Sequence, residues 1–515
     1  MSQADEQQDS DSTSPTGTDT GRRPRHLAVM VTCCLGMFMA FIEVTAAIST
    51  LRSMQVDLSV PPAFLSWVSS AYTLALAALV LSGGAIGERF GRKRSYLAGV
   101  VILAAGSLVV ATAPTFGVVM AGRVISGVGG ALILPLSLAY VVMTFTDANQ
   151  RARMISVWVS MSGVALALGP VLGGALNSMT SWRAVFVINT PLALVTVPLG
   201  LHALREAANP QRRLDPGGQC LAVVGLTGLV YGVIAGGRDG YAATHVLASL
   251  GLGVLCLIGL VLVEARTEQP MLNVRMMRSL PYSISLLLAA VGLFGFVGVT
   301  YVQVMFLQQV QRHTPLESGL RLLAEMVAFM VVTVLAGRWT ARFGPARMLL
   351  TGLFTAAVAA LLLSTQDADT SYLFSGLALA LVGAGSGLVI APSTSAALSV
   401  VPPQQAPAAS NAVTGFRQVG SVLGTAVLGA VLGTRFAGAL ADELAEANVA
   451  APRAEALVRA ARQGIPHSDD PVVQAAILRS YESGVQLSLL CNSVLLLCAS
   501  GVAVVFVVLS RRKHS

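Results

Sequence analysis

Gly84-Ala85-Ile86-Gly87-Glu88-Arg89-Phe90-Gly91-Arg92-Lys93-Arg94 stands early in the chain and returns, thinned, as Gly337-Arg338-Trp339-Thr340-Ala341-Arg342-Phe343-Gly344-Pro345-Ala346-Arg347. Gly, Arg, Phe and Gly coincide in register at a separation of 253 residues. Each copy follows the second long apolar run of its own half. Halves repeated in this way are a hallmark of membrane transporters, whose substrate site lies where the halves meet.

The sequence around the two loops is apolar enough for this. Of the 515 residues, 54% are hydrophobic and 11% are charged. Soluble domains carry about 25% charged residues, and their cores stop growing near 250–300 residues. The surplus apolar surface therefore faces lipid. The 50 glycines suit helices that pack closely in a bilayer. A spanning helix needs about 20 mostly apolar residues. Such runs fall at 27–50, 64–87, 95–112, 116–141, 152–176, 183–203, 219–236, 243–264, 282–307, 318–338, 347–364, 372–398, 407–434 and 484–509. The expected fold is an all-α membrane protein with 14 transmembrane helices arranged 6+2+6.

Charge checks the count. Most of the 33 Lys and Arg fall in alternate connections, among them Arg89, Arg92, Lys93, Arg94, Arg151, Arg153, Arg212, Arg213, Arg342 and Arg347. The other short connections and their edges hold only Arg52, Arg183, Arg238, Arg312 and Arg321. Positive charge stays on the cytoplasmic side, so both termini are expected there. The net charge of +8 therefore reports topology, and no nucleic-acid partner is expected. The chain divides into a disordered cytoplasmic tail (1–26), an N-terminal six-helix bundle (27–203), a linker with two extra helices (204–266) and a C-terminal bundle (267–515). The last contains a long extracellular loop, 435–480, expected to carry one or two short amphipathic helices. All six cysteines lie in apolar stretches and are expected to be small core residues.

Several stretches resemble the major facilitator superfamily, specifically its fourteen-span drug:proton antiporter branch, and the resemblance covers nearly the whole chain after residue 27. The loop Gly84, Glu88, Arg89, Gly91, Arg92, Lys93 is similar to a family signature, with Glu88 for the usual Asp. Arg123-x-x-Ser126-Gly127-x-Gly129 resembles the fourth-span motif. Gly169-Pro170-x-x-Gly173-Gly174 resembles the fifth-span antiporter motif. Trp182-Arg183 with Phe186-x-x-Asn189-x-Pro191 resembles the sixth-span opening, and Glu43-x-Thr45 the first-span acidic element. The resemblance implies export of small amphipathic or cationic drugs or antibiotics in exchange for protons, by alternating access, in a bacterial plasma membrane. The alternatives are an exporter of an endogenous metabolite or lipid-like compound, or a proton-coupled importer. No cofactor beyond the proton gradient and no metal is expected, and the chain is expected to act as a monomer and not as an enzyme. An ATP-driven pump needs Gly-Lys-Ser/Thr, and neither lysine follows a glycine.

Glu43 and Arg123 are the conspicuous charges. A carboxylate in hydrocarbon is costly unless paired, hydrated or protonated. At 1.5 Å per residue, both sit at a similar depth from opposite ends of their spans, which points to one proton-coupling cluster. A satisfied structural pair is the other reading. Glu325 is either a second proton or cation site or a water-open vestibule residue, and the vestibule is favoured. Glu88 is either a conformational gate or a topology-setting charge. Arg417, within Phe416-Arg417-Gln418, lies near mid-span without an assigned role. Tyr72, Trp158, Tyr301, Gln303 and Asn411 are candidate cavity residues, because binding sites mix aromatic area with a few polar groups.

Overall fold

A computed structural model describes residues 22–47, 50–60, 62–211, 214–267, 274–402, 405–462 and 465–511. Its helices are α1 (Arg22–Ala46), α2 (Leu51–Asp57), α3 (Pro62–Phe90), α4 (Arg92–Ala111), α5 (Phe116–Thr144), α6 (Ala148–Met179), α7 (Trp182–Val187), α8 (Asn189–Ala203), α9 (Pro216–Asp239), α10 (Thr244–Arg266), α11 (Leu280–Gln309), α12 (Pro315–Phe343), α13 (Pro345–Leu363), α14 (Tyr372–Ser399), α15 (Ala406–Glu446), α16 (Ala451–Ala461) and α17 (Pro471–Arg511). Thirteen are long and apolar enough to cross a membrane, α7 and α8 counting as one span. The bent α3, turned by 55° between Val80 and Ser82, brings the number to fourteen. No strand occurs among the described residues. Of the expected disordered tail 1–26, residues 22–26 are instead the start of helix α1, and residues 1–21, like the cations Arg212 and Arg213, lie outside the described residues.

Helices α1 and α3–α8 pack on one another, as do α11–α15 and α17. The two groups meet along α6 with α12 and along α3 with α15. The extra helix α9 lies against both α3 and α15, and α10 packs on α9 with most of its surface exposed.

Further features differ from expectation. The 183–203 run is two helices broken at Ile188. Pro191 has no N–H to offer the Val187 carbonyl, so one helical hydrogen bond is missing at the break. The 435–480 loop is much shorter than expected, because α15 and α17 continue through it as helices of 41 residues each. Phe436, Leu440 and Leu444 on α15 are buried, as are Val473, Ile477 and Tyr481 on α17. The Phe436 and Tyr481 rings sit edge to face, 5.2 Å apart. Only α16 forms a separate short helix there. The cysteines also divide: Cys33 and Cys34 are buried, but Cys220, Cys491 and Cys498 are exposed.

The repeat is structural as well as textual. Gly91 and Gly344 each cap the following helix with φ of 105° and 82°. Arg89 lies 5.4 Å from the Phe90 ring centre, and Arg342 lies 5.2 Å from that of Phe343. Gly84 packs against Asn411 of α15, and Gly337 against Ser156 of α6. Each half thus pushes its loop glycine onto a helix of the other half, on the face that carries both loops. The backbone at Gly91 and Gly344 is one that a side chain strains by about 1–3 kcal/mol. Gly344 looks into open space, whereas a Cβ at Gly91 would meet Glu206 at 2.6 Å. Gly91→Ala is therefore expected to lower the thermal unfolding midpoint in detergent by more than Gly344→Ala does. Equal midpoint shifts would show that the Glu206 contact contributes nothing.

Candidate functional site

Glu43 lies in the last turn of α1, 3% exposed, and Arg123 two turns inside α5 is fully buried. The structure brings them together. Arg123 Nη1 donates to Glu43 Oε1 at 2.9 Å and to the Glu43 carbonyl at 3.2 Å. Its Nε donates to the Val68 carbonyl of α3 at 2.7 Å. Ser107 of α4 donates to the carboxylate at 3.2 Å, and Asn189 Nδ2 at the start of α8 donates to Oε2 at 2.5 Å. Tyr72 lies under the guanidinium, 4.9 Å from ring centre to Cζ, and donates its hydroxyl to the Ala40 carbonyl at 2.6 Å. A buried ion pair is tolerated only with its remaining donors and acceptors satisfied, and here five helices supply the partners. Ser107 and Asn189 were not among the sequence candidates. Asn189 stands in the Phe186-x-x-Asn189-x-Pro191 stretch, which carries no sign that its side chain faces Glu43.

Two elements enclose the cluster. Gly169 of α6 approaches α1 so closely that a Cβ there would lie 1.9 Å from Thr45 Oγ1. The antiporter-like motif therefore packs directly beside the acidic first-span element. Gly174, further along, makes an ordinary contact with Leu316 of α12, and Gly173 is buried. Helix α6 is continuous through Pro170, whose side chain lies outside the described residues. On the side away from the repeat loops, α2 and α7 form a latch. Arg183 donates to Asp57 at 2.6 Å, Trp182 Nε1 donates to the same oxygen at 3.1 Å, and Arg183 also reaches the Ala113 carbonyl. Those bonds, that of Arg183 first, hold the Asp57 carboxyl below the usual aspartate range. A lowered carboxylate favours the latched form at pH values above the ordinary aspartate pKa, and that contribution fades as pH falls through the lowered value.

A small cavity lies between the two helix groups. Phe41, Trp158, Phe296 and Phe329 supply its aromatic surface, and Ser162, Thr414, Arg417 and Gln418 its polar surface. Of the five sequence candidates only Trp158 lines it. Tyr72 belongs to the Glu43 cluster. Gln303 is buried and donates to Gln366 at 3.1 Å. Tyr301 packs near Gly429, and Asn411 fills the contact with Gly84. Glu325 is no vestibule residue here. It is fully buried, and Thr300 donates to its Oε1 at 2.9 Å while Oε2 has no partner among the described residues. Burial follows from the close approach of α14, whose Gly383 sits against the Glu325 backbone.

The loop 84–94 is held by a residue that was not anticipated. Glu206, just beyond α8, accepts from the backbone N–H of Lys93 at 3.1 Å and of Arg94 at 3.3 Å, so it caps the start of α4. Lys93 Nζ donates to the Leu201 carbonyl at 2.5 Å. Glu88 forms an ion pair with Arg92 at 3.6 Å, four residues on, and its carbonyl accepts from Asn209 at 2.6 Å.

Repeated helical halves, an enclosed cavity between them and a charged cluster inside one half define a secondary membrane transporter. The chain belongs to the Major Facilitator Superfamily, which it matches over residues 33–425. It is 30% identical over 402 residues to the multidrug resistance protein Stp of Mycobacterium tuberculosis, covering 78% of this chain and 75% of Stp. It is 29% identical over 496 residues to the tetracenomycin C resistance and export protein of Streptomyces glaucescens, covering 94% and 92%. The puromycin resistance protein pur8 of Streptomyces alboniger is 31% identical, with coverage of 79% and 82%. Among solved structures, the human organic anion transporter MFSD10 superposes with a TM-score of 0.61 at 15% identity, covering 93% of this chain and 99% of that one. The proton:xylose symporter XylE superposes at 0.59 and 14%, covering 93% and 95%. These two likenesses concern the fold. The protein is a multi-pass transporter of this superfamily in the bacterial plasma membrane, and not an enzyme.

Proposed function

We propose that the protein exports small amphipathic compounds in exchange for protons, by alternating access, with Glu43 carrying the coupling proton. The observation that supports this reading is the buried Glu43 carboxyl, paired with Arg123 and hydrogen-bonded by Ser107 and Asn189. Protonation removes the charge that Arg123 neutralises and weakens bonds that tie α1 to α4, α5 and α8. A proton taken up there therefore changes the packing of one whole half. Gly169 against Thr45 carries that change to α6, which forms part of the contact with the other half. The face with the repeat loops is the cytoplasmic one on this reading, and Gly84 with Asn411 closes it. The cavity is complete within one chain, so the working unit is a monomer.

The relatives named for antibiotics supply the first compounds to test. Purified protein in liposomes carrying a pH-sensitive dye, acid inside, is expected to discharge the gradient on addition of puromycin or tetracenomycin C and to accumulate the compound. Accumulation that proceeds unchanged after the gradient is collapsed, or a gradient indifferent to every compound that the protein protects cells against, would refute proton exchange.

A further inference from the structure

The cavity between the halves carries one ionisable side chain among the described residues that line it, and that side chain is a cation. Arg417 is 5% exposed. Its Nη2 is committed to α14, donating to the Ile390 carbonyl, to Ser393 Oγ at 3.1 Å and to Thr394 Oγ1 at 2.6 Å. Its Nε has no partner, and no ion pair to Arg417 occurs among the described residues. The contrast with Arg123 is direct: both are buried in the same molecule, but one has a carboxylate at 2.9 Å and the other faces a cavity. A guanidinium stays charged at every relevant pH. An unmatched buried charge is costly, so a ligand that supplies an anionic or strongly accepting oxygen gains the interaction that the protein leaves unmade.

We propose that Arg417 makes this cavity a site for planar aromatic compounds bearing an acidic oxygen, such as a phenolate, enolate or carboxylate, and disfavours permanent cations. The proposal rests on the export reading and names its substrate class. The Phe296 and Phe329 rings, stacked 4.7 Å apart, and Trp158 present flat apolar surface beside the charge. Once the halves part and widen this space, an aromatic body can lie against them while its oxygen accepts from the Arg417 guanidinium. Gln418 and Thr414, near Arg417 on α15, offer further polar contacts to the same end of the ligand. A cationic compound of the same shape meets like charge in a water-poor enclosure, where the repulsion is little screened.

Two xanthene dyes of matched ring system test this. Fluorescein carries phenolate and carboxylate oxygens, and rhodamine 6G is a permanent cation. Fluorescence anisotropy with the purified full chain is expected to show fluorescein binding at least about tenfold tighter, the factor expected of one charge-assisted hydrogen bond. Arg417→Gln is expected to weaken fluorescein by about ten- to hundredfold, and Arg417→Lys by less. Gln418→Glu, which places a carboxylate next to Arg417, is expected to shift the ratio toward rhodamine. Tighter rhodamine than fluorescein, or no fluorescein binding by the unaltered protein, overturns the inference whether or not the variants fold. So does unchanged fluorescein affinity in a folded Arg417→Gln. Binding is measured without a gradient, so proton coupling can fail while this preference stands, and the reverse.

Discussion

Glu43→Gln is expected to reduce gradient-driven accumulation to the level of protein-free liposomes while leaving downhill exchange of the same compound in place. Glutamine keeps the shape of a protonated glutamate and removes the ability to release a proton. Its carbonyl oxygen can still accept from Arg123, but its amide faces Asn189 Nδ2, itself a donor. The local network is therefore disturbed even where the helix is not. Glu43→Asp keeps the titration and shortens the reach, so it is expected to retain part of the drive. Counterflow assays separate the two effects, because they report alternation of the site without net proton movement. Full gradient-driven accumulation by a folded Glu43→Gln protein would remove Glu43 from the coupling step.

Arg123→Ala is expected to be the most destabilising single change in the N-terminal half. It leaves the Glu43 carboxylate 3% exposed and without its cation. Removing one partner of a buried pair costs about 3–5 kcal/mol. It also frees the Val68 carbonyl and withdraws the charge that lies over the Tyr72 and Phe186 rings. The measurement is the thermal midpoint in detergent. The double change Glu43→Gln with Arg123→Ala is expected to be more stable than Arg123→Ala alone, since the orphaned charge is gone. A double variant at the sum of the two single losses would show that the pair is not coupled.

Much of this arrangement could be read from residues alone, and the reason is contrast. Two opposite charges in apolar runs stand out, and their depth along each span predicted a shared location. The loop copies at 84 and 337 stood out likewise, because glycine with positive φ tolerates few replacements. Ser107 and Asn189 were not legible as partners of Glu43. Serine and asparagine occur on many helix faces, and only packing shows which of them point at a carboxylate. The cavity candidates were weaker for the same reason. Gln303 looked like a binding residue until Gln366, beyond the end of α13, proved to be its partner. Composition gives a span its polar residues but not the direction in which each faces. Glu206 was missed because it acts through backbone N–H groups, which no side-chain pattern displays. The helical extensions past 434 and before 484 escaped the span criterion because they are too polar for lipid, although their buried stripe is apolar.

Those extensions give the molecule a lever arm. At 1.5 Å per residue, a helix of 41 residues has a contour length of about 60 Å, against a hydrocarbon layer of about 30 Å. The polar ends of α15 and α17 extend beyond their apolar runs on the face opposite the repeat loops, braced by α16 and by the Arg479–Glu443 contact at 3.1 Å. A rocking of the C-terminal half by about 10° about the bilayer centre would sweep the tip of such an arm through several ångströms, by the rigid-body geometry of domain rotation. Fluorophores on the tip, far from both the cavity and Glu43, would therefore report a magnified trace of each turnover in a single molecule.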